Sequence, residues 1–317
     1  MLASKHISVL LKEVLDALRP KNGGVYIDGT FGGGGYSKGI LEAADCVVWG
    51  IDCDPFAQEF GRSLATQFPR RISVLSGNYS NMGKLLEEYG VNKVDGVTLD
   101  LGISSMQIDE PSRGFSFKVD GPLDMRMRNQ GETAATLVNE ASEEQLANII
   151  YRYGEERASR RIAKEIIKNR NKSPITRTRE LATIVRRVVN KSRDGLDPAT
   201  RTFQALRIYI NDELGELEKG LNAAEKLLAP GGRIAVVSFH SLEDRRVKKL
   251  FKDRSESRSN PSRYLPQMSE TKSSSTFRLV RRGVVRPSSR EILDNPRARS
   301  AKLRVAERTS VPSQVAA

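Results

Sequence analysis

The 317-residue chain has few of the residues that build disulfide frameworks and metal clusters. It contains two cysteines, Cys46 and Cys53, and two histidines, and the two cysteines are not in a CxxC spacing. Small secreted domains depend on several disulfides, and structural zinc sites need about four Cys or His ligands. Neither kind of site is expected here. No metal is predicted, and the composition fits a reducing compartment such as the cytoplasm.

Long apolar runs are missing as well. No stretch of the sequence approaches the roughly 20 apolar residues that a membrane helix requires. The apolar residues of the N-terminal segment recur at helical spacing but are interrupted by Lys12, Glu13 and Asp16. That pattern predicts an amphipathic helix and not a signal peptide. A chain of this length can bury a substantial core, as one large domain or two modest ones.

Positive charge is abundant and concentrated. The chain carries a formal net charge of +13. Residues 151–200 hold 14 Lys and Arg against 6 Asp and Glu, residues 245–308 hold 19 against 6, and the rest of the chain therefore has a net charge of −8. An acidic body with two basic segments is typical of a protein that binds a polyanion, most often nucleic acid. A solvated charged surface is the alternative, and the concentration of the charge favours nucleic acid.

Short apolar runs alternate with helical patterns in the first hundred residues. Buried strands are predicted at 25–28, 47–52 and 94–101, with a shorter one at 74–75. This alternation predicts βαβ units and a parallel sheet. Residues 133–190 show only helical patterns, and a strand pattern returns at 233–239 after a long helix. The sequence therefore predicts an α/β sheet that is interrupted by a helical insertion and then resumed.

A glycine-rich loop follows the first predicted strand and opens a predicted helix. It reads DGTFGGGG over residues 28–35. Glycines let a ligand approach the backbone closely and allow positive φ. Asp52 ends the next strand, where an acidic side chain can bind ribose hydroxyls. This order predicts an adenosine-containing cofactor, either a dinucleotide or S-adenosylmethionine. Asp28 before the glycines favours the methyl donor, by analogy with methyltransferase folds.

Eight motifs in order carry a resemblance to a known family. They are YIDGTFGGGGYS, LDLGISSMQID, RGFSF, GPLDMRM, YGEERASRRIA, PATRTFQALRI, GGRIAVVSFHSLEDR and NPRARSAKLRVAER, and they extend from about His6 to Arg308. Together they resemble the bacterial 16S ribosomal RNA cytosine-N4 methyltransferase family. The resemblance implies S-adenosylmethionine as cofactor. It also implies methylation of the exocyclic N4 of a decoding-region cytosine (cytosine 1402) in 16S rRNA, within the small ribosomal subunit.

The resemblance also implies a domain organisation. The expected fold is α/β, a Rossmann-like class I methyltransferase sheet with an inserted all-helical domain. The methyltransferase domain is expected at 1–107 and 205–308, the helical substrate-recognition insertion at 108–204, and a frayed tail at 309–317. The oligomeric state is left open, with a homodimer as one option.

The cofactor residues come from positions that match the family's motifs. The resemblance assigns cofactor binding to Gly34, Gly35, Tyr36, Asp52, Tyr79, Asp100 and Gln107. Two positions depart from the family's pattern. Tyr36 stands where a histidine is frequent, and we expect it to offer its backbone N–H and a ring face. Asp197 precedes the PATRTF motif in a basic neighbourhood, where it removes an RNA contact.

The chemistry of a cytosine amine sets what the catalytic residues must do. Its lone pair is delocalised into the ring, so an enzyme must orient the amine and accept hydrogen bonds from it. Asp100 and nearby backbone carbonyls are the predicted acceptors. An equal alternative is that Asp100 contacts only the cofactor. Ser104 either binds the substrate or caps its loop. His240 follows a strand at the carboxyl edge of the sheet. It is either a substrate contact or proton carrier, or a structural histidine.

RNA contacts are predicted for one aromatic residue and a set of arginines. Phe115, or Phe117 in the same RGFSF motif, either stacks on a splayed base or fills a local core. The arginines are Arg113, Arg126, Arg128, Arg160, Arg161 and Arg201, followed by those from Arg278 to Arg304. Three other functions remain open at this point: a non-catalytic RNA-binding assembly factor, a nicotinamide-dependent dehydrogenase, and a DNA amino methyltransferase.

Overall fold

A computed structural model describes residues 8–128, 130–190, 195–255 and 275–313. The chain forms two compact units. Unit 1 comprises residues 1–102 and 215–317, and unit 2 comprises Ile103–Leu214. Unit 2 begins directly after Gly102, whose φ of +94° is a conformation that favours glycine. The predicted insertion boundaries, 108 and 204, both lie inside unit 2.

Unit 1 is built around a seven-stranded sheet. Its strands are β1 Val25–Asp28, β2 Val47–Asp52, β3 Ile72–Ser76, β4 Val94–Asp100, β5 Leu228–Ser238, β6 Phe277–Leu279 and β7 Lys302–Arg308. Their order across the sheet is β3-β2-β1-β4-β5-β7-β6. The first five strands are parallel, and β7 is antiparallel to both β5 and β6. The predicted α/β class and Rossmann-like sheet are confirmed.

The described residues form thirteen α-helices. They are α1 Leu11–Leu18, α2 Gly35–Ala43, α3 Pro55–Gln67, α4 Met82–Glu87, α5 Ser105–Asp109, α6 Ala134–Glu140, α7 Glu143–Gly154, α8 Ser159–Arg170, α9 Thr178–Val188, α10 Thr200–Ile210, α11 Glu213–Leu227, α12 Ser241–Ser255 and α13 Ser289–Asp294. The predicted amphipathic N-terminal helix is α1, which buries Val14 and Leu18. No helix in the described ranges is both long and apolar enough to cross a membrane.

The sheet is buried on both faces. Tyr26 and Val48 belong to one apolar cluster, and Ile27 and Val97 belong to another. Side chains alternate between the faces of a strand, so neighbours such as Tyr26 and Ile27 reach opposite cores. Unit 2 has its own apolar cluster, formed mainly by helices α6 to α10. Burial on both faces explains why β1, β2 and β4 read as nearly continuous apolar runs.

Candidate active site

Three aspartates end neighbouring strands of unit 1. Asp28 ends β1, Asp52 ends β2 and Asp100 ends β4. The order of the parallel strands reverses beside β1, which lies between β2 and β4. Open α/β sheets bind ligands outside the carboxyl ends of their strands at such a switch point. The structure therefore brings the three aspartates to the edge where a ligand is expected.

Close packing requires glycine at two positions of the loop at this edge. Gly34 has a φ of +74°, and a Cβ there would lie 2.8 Å from the Phe31 ring. Gly35 is the first residue of α2, and a Cβ there would lie 1.8 Å from Oγ of Ser8. The N–H groups of a helix's first turn have no partner within the helix. The loop residues predicted from sequence thus pack tightly at the N-terminus of α2, an end of a helix that favours anionic groups.

Asp52 holds the loop in place. Its Oδ2 accepts a hydrogen bond from the Gly32 N–H at 2.7 Å, and its Oδ1 accepts one from the Asp54 N–H at 2.8 Å. Burial raises the pKa of Asp52, and the N–H groups of Asp54 and Gly32 act against that rise. Each carboxylate oxygen has a further lone pair. Asp52 can therefore fix the loop and still accept hydrogen bonds from ribose hydroxyls.

Asp28 is fully buried and only half satisfied. Its Oδ2 accepts hydrogen bonds from the Ser37 hydroxyl at 2.7 Å and from the Ser37 N–H at 3.1 Å. Its Oδ1 has no hydrogen-bond partner among the described residues. Burial raises the pKa of Asp28 to about 6, and the bonds from Ser37 lower it. A buried carboxylate oxygen without a partner is costly and favours a bound cationic or hydrogen-donating group.

Asp100 repeats this arrangement on the adjacent strand. Its backbone N–H donates to Oγ1 of Thr30 at 2.6 Å, and its Oδ1 is buried without a partner in the described part of the chain. Burial raises the pKa of Asp100 well above its usual value, and the charges of Asp28 and Glu243 raise it further. S-Adenosylmethionine carries a sulfonium and an ammonium group. Two unsatisfied carboxylate oxygens beside a glycine loop therefore fit this cofactor.

Tyr79 is positioned by residues that sequence reasoning missed. It follows β3 in a short 3₁₀ helix, Tyr79–Asn81. The Glu216 carboxylate in α11 accepts hydrogen bonds from Asn78 Nδ2 and, at 2.5 Å, from Ser80 Oγ. A Cβ on Gly220, one turn later, would lie 2.3 Å from Cδ2 of Tyr79. The apolar stripe of α11 predicts a packed helix but gives no indication of the contacts of Glu216 and Gly220.

Tyr36 differs from its expected role. Its side chain is 3% exposed and lies in an apolar cluster with residues of α1, and its hydroxyl donates to the Val9 carbonyl oxygen. Burial raises the pKa of Tyr36 well above its usual value. The ring face expected to contact a cofactor is packed inside the protein. Only the backbone N–H remains for such a contact.

His240 caps a helix. The Glu243 N–H points to its Nδ1 at 3.4 Å, and Oε2 of Glu243 accepts hydrogen bonds from the N–H groups of Phe239 at 2.9 Å and His240 at 3.4 Å. Nε2 of His240 lies 3.1 Å from Oε1 of Glu243. This reciprocal pattern is that of a capping box at the start of α12. The geometry favours the structural alternative for His240.

Comparison with known proteins identifies the family. Residues 3–309 match the model of the MraW methylase family. The chain belongs to the MraW methylase family. It is 58% identical over 308 residues to ribosomal RNA small subunit methyltransferase H from Paramagnetospirillum magneticum, covering 97% of each chain. The protein of the same name from Rhodospirillum rubrum is 54% identical over 97% of this chain and 95% of its own length.

Family membership confirms three predictions: the resemblance itself, a methyltransferase, and S-adenosylmethionine as its cofactor. A nicotinamide-dependent dehydrogenase is thereby set aside. The assignment agrees with the chemistry of the switch point, where Asp52 offers acceptors for ribose and Asp28 and Asp100 offer acceptors for positive charge. The individual roles of these residues stay predictions.

Two predicted site residues of the methylase lie in unit 2 and bind each other. Oγ of Ser104 accepts a hydrogen bond from the Gln107 N–H at 3.2 Å, and Oε1 of Gln107 accepts one from the Ser104 N–H at 3.1 Å. This is a complete capping box at the start of α5. The loop-capping alternative for Ser104 is therefore the one that the structure shows.

Three residues predicted to contact RNA have structural roles instead. Phe115 is 8% exposed and lies in the apolar cluster of unit 2, so it fills a core. Arg113 donates to the carbonyl oxygens of Arg126 at 3.1 Å and Met127 at 3.0 Å. Arg126 forms two hydrogen bonds with Asp124, at 2.9 and 2.8 Å. These arginines stabilise the loop that contains them, because each donates hydrogen bonds to groups within it.

Asp197 has a structural role as well. Its carboxylate forms an ion pair with Arg186 at 2.8 Å, and its Oδ1 accepts a hydrogen bond from the Ala199 N–H at 2.9 Å. The second contact satisfies a backbone donor at the start of α10. The departure from the family's pattern thus fixes the beginning of a helix and neutralises one arginine.

Four other predicted arginines are on the surface of unit 2. Arg128, Arg160, Arg161 and Arg201 are exposed. Arg160 and Arg161 lie in the first turn of α8, and Arg201 lies in the first turn of α10. Neither first turn contains an acidic residue. Positive side chains at the positive end of a helix dipole are unfavourable for folding but attract anions.

Proposed function

We propose that this chain transfers a methyl group from S-adenosylmethionine to the exocyclic N4 of a cytosine in 16S ribosomal RNA, cytosine 1402 in the decoding region. The near full-length similarity to ribosomal RNA small subunit methyltransferases H carries the proposal. The eight motifs of the sequence support the choice of base and atom. The substrate is the RNA within the small ribosomal subunit, and the reaction takes place in the cytoplasm.

The cofactor is held by groups at the carboxyl edge of the sheet. Asp52 accepts hydrogen bonds from the ribose hydroxyls, the N–H groups of the glycine loop contact the methionine part, and Asp28 balances its positive charge. Tyr79 lies beside Gly29 of the same loop, since a Cβ on Gly29 would be 3.0 Å from Cβ of Tyr79. When bound, S-adenosylmethionine supplies a methyl group on a positively charged sulfur.

Asp100 orients the amine and takes its proton. As the bond from N4 to the methyl carbon forms and the sulfur–carbon bond breaks, N4 must lose one proton. Burial raises the pKa of Asp100, and a carboxylate of raised pKa is a stronger proton acceptor. The positive charge of the bound cofactor favours the ionised form of Asp100. The bound cofactor therefore supports the form of Asp100 that can accept the proton.

Exposed arginines of unit 2 bind the RNA backbone. Arg160, Arg161 and Arg201 lie in the first turns of two helices. Contacts to phosphates position an RNA but carry no sequence information. Specificity then comes from the folded shape of the RNA in the subunit.

Methyl transfer from labelled S-adenosylmethionine to small subunits that lack the modification tests the proposal. The nucleosides of the product are identified by mass spectrometry, and N4-methylcytidine is the expected product. Asp100→Asn is expected to lower kcat by a factor of about 100 or more, within the range of acid–base contributions. Asp253→Asn is the matched control, because Asp253 is an exposed residue of α12.

Each other result has a definite meaning. Transfer to DNA of the same sequence and not to RNA would identify a DNA amino methyltransferase. If the protein neither bound the cofactor nor transferred a methyl group, the assembly-factor alternative would be favoured. Wild-type activity in Asp100→Asn would remove Asp100 from the proton transfer while leaving the reaction in place.

A further inference from the structure

Unit 2 contains a cavity between α7 and α10 that no part of the proposed reaction uses. Its volume is about 360 Å³, near the lower end of the range for sites that bind small molecules. Ile149 and the rings of Tyr153 and Tyr209 provide its apolar lining, and Asn148, Arg152 and Glu144 provide polar groups. Ile149 is buried, whereas Asn148, Arg152 and Glu144 are exposed. The cavity is thus apolar at its base and polar at its rim.

The two tyrosine rings form an aromatic lining of fixed geometry. Their centroids are 6.2 Å apart, and their planes are inclined by 47°. Gln145 Nε2 donates a hydrogen bond to the Tyr209 hydroxyl at 3.3 Å, which orients that ring. Both tyrosines are half-buried, and both line the cavity. Stacking on aromatic side chains is the usual way in which proteins hold an unpaired nucleobase.

The charges at the rim favour a base over a phosphate inside the cavity. Arg152 contributes one positive charge and Glu144 one negative charge, so the lining has no net charge to hold a bare anion. Asn148 adds an amide that can both donate and accept hydrogen bonds. A nucleobase has apolar faces and a polar edge with donors and acceptors. Its chemistry therefore matches the cavity better than that of an isolated phosphate.

The exposed Arg201 lies along the same seam. A Cβ on Gly154, the last residue of α7, would be 2.6 Å from the Arg201 carbonyl oxygen in the first turn of α10. Gln145, near the start of α7, contacts Tyr209, near the end of α10. The two helices therefore run antiparallel. Arg201 and Tyr209 are separated by ~12 Å along α10 at a rise of about 1.5 Å per residue.

We propose that this cavity binds one unpaired nucleobase of the RNA substrate, a nucleotide other than the one that is methylated. The backbone of the strand then follows the α7–α10 seam toward Arg201. A separation of ~12 Å is spanned by about four stacked nucleotides at ~3.4 Å each. The inference rests on the proposed function, since it takes RNA to be the substrate. It adds a recognition site on unit 2 that acts through substrate affinity.

Steady-state kinetics with small ribosomal subunits provide the first test. Tyr209→Leu and Tyr153→Leu are expected to raise the KM for the subunit by about 5- to 150-fold, the loss expected for one base–aromatic stack. The kcat and the Kd for S-adenosylmethionine are expected to stay unchanged. Tyr209→Phe keeps the ring and is expected to restore the KM. Tyr151→Leu is the matched control, because Tyr151 lies on the same helix, is 61% exposed and does not line the cavity.

Photocrosslinking of the unmodified enzyme provides a test that no substitution can disturb. The probe is a small ribosomal subunit reconstituted with 16S ribosomal RNA that contains 4-thiouridine, and crosslinked peptides are identified by mass spectrometry. Crosslinks to Tyr153 or Tyr209 are expected. Crosslinks confined to other parts of the chain would overturn the proposal.

The outcomes separate this inference from the proposed function. If the wild-type enzyme forms N4-methylcytidine while both leucine variants behave like Tyr151→Leu, the nucleobase site is wrong and the reaction stands. If the wild-type enzyme transfers no methyl group, the proposed function fails, and the crosslinking result alone decides whether the cavity binds RNA. Thermal unfolding of each variant shows whether a raised KM accompanies a loss of folded protein.

Discussion

Replacing Asp28 with asparagine is expected to stabilise the empty fold while it weakens the cofactor site. Asp28 is fully buried, and its Oδ1 has no partner among the described residues. Burial raises its pKa from 3.8 to about 6. A folded-state pKa above the unfolded value means that the charged carboxylate destabilises the fold. Asparagine removes the charge and keeps an oxygen that can accept the hydrogen bonds from Ser37.

The pKa of Asp28 sets the size of the effect and its dependence on pH. A rise from 3.8 to about 6 corresponds to ~3 kcal/mol, at 1.36 kcal/mol for each pH unit. The penalty is complete above about pH 7, where Asp28 is ionised in both states, and fades as the pH falls toward 3.8. At pH 5 about half of it is gone. The weaker hydrogen bonds of a neutral acceptor lower the gain by ~1 kcal/mol at every pH.

Urea unfolding of the wild type and of Asp28→Asn at pH 8 and pH 5 measures this effect. The variant is expected to gain about 1.5 kcal/mol more over the wild type at pH 8 than at pH 5. Titration calorimetry is expected to show S-adenosylmethionine bound at least about tenfold more weakly, since a hydrogen bond to a charged group is lost. A stability difference that is the same at both pH values would refute the buried, charged Asp28 on which this reasoning depends.

Further substitutions test the cofactor loop and the RNA surface. Asp52→Ala is expected to weaken S-adenosylmethionine binding by about tenfold or more, as measured by calorimetry, and an unchanged Kd would place the ribose elsewhere. Gly220→Ala puts a Cβ 2.3 Å from the Tyr79 ring and is expected to cost ~1–3 kcal/mol through overpacking, with a matching loss of cofactor affinity. Gly83→Ala is its control, because a Cβ there meets nothing within 4 Å. Arg160→Ala is expected to reduce the salt dependence of RNA binding by about one phosphate contact; an unchanged slope would exclude this arginine from the interface.

Patterns within short segments predicted much of unit 1. The apolar runs of β1, β2 and β4, the glycine loop and the aspartates that end these strands were all visible in the sequence. Each depends on the conformation of neighbouring residues, such as the positive φ that favours glycine at Gly34. The parallel sheet then follows, because strands that alternate with helices pair in parallel and bring their carboxyl ends to one edge.

The fate of individual side chains required the tertiary structure. The ring of Tyr36 was expected to face the cofactor, and Phe115 was expected either to stack on a base or to fill a core, but packing buried both. Arg126 was expected to bind phosphate, but Asp124 and the Gly131 carbonyl oxygen accept hydrogen bonds from its guanidinium. In these cases the residue type allows several partners, and the fold decides which partner is near.

Long-range contacts were beyond any local pattern. Glu216 and Asn78 are separated by 138 residues in the chain, yet their side chains form a hydrogen bond beside Tyr79. The nucleobase cavity likewise depends on Tyr209 of α10 meeting α7 across 64 residues, through Gln145. The sequence by itself therefore determined the sheet, the cofactor loop and the family. The tertiary structure alone decided which side chains those elements bring together, because that choice depends on packing between segments distant in the chain.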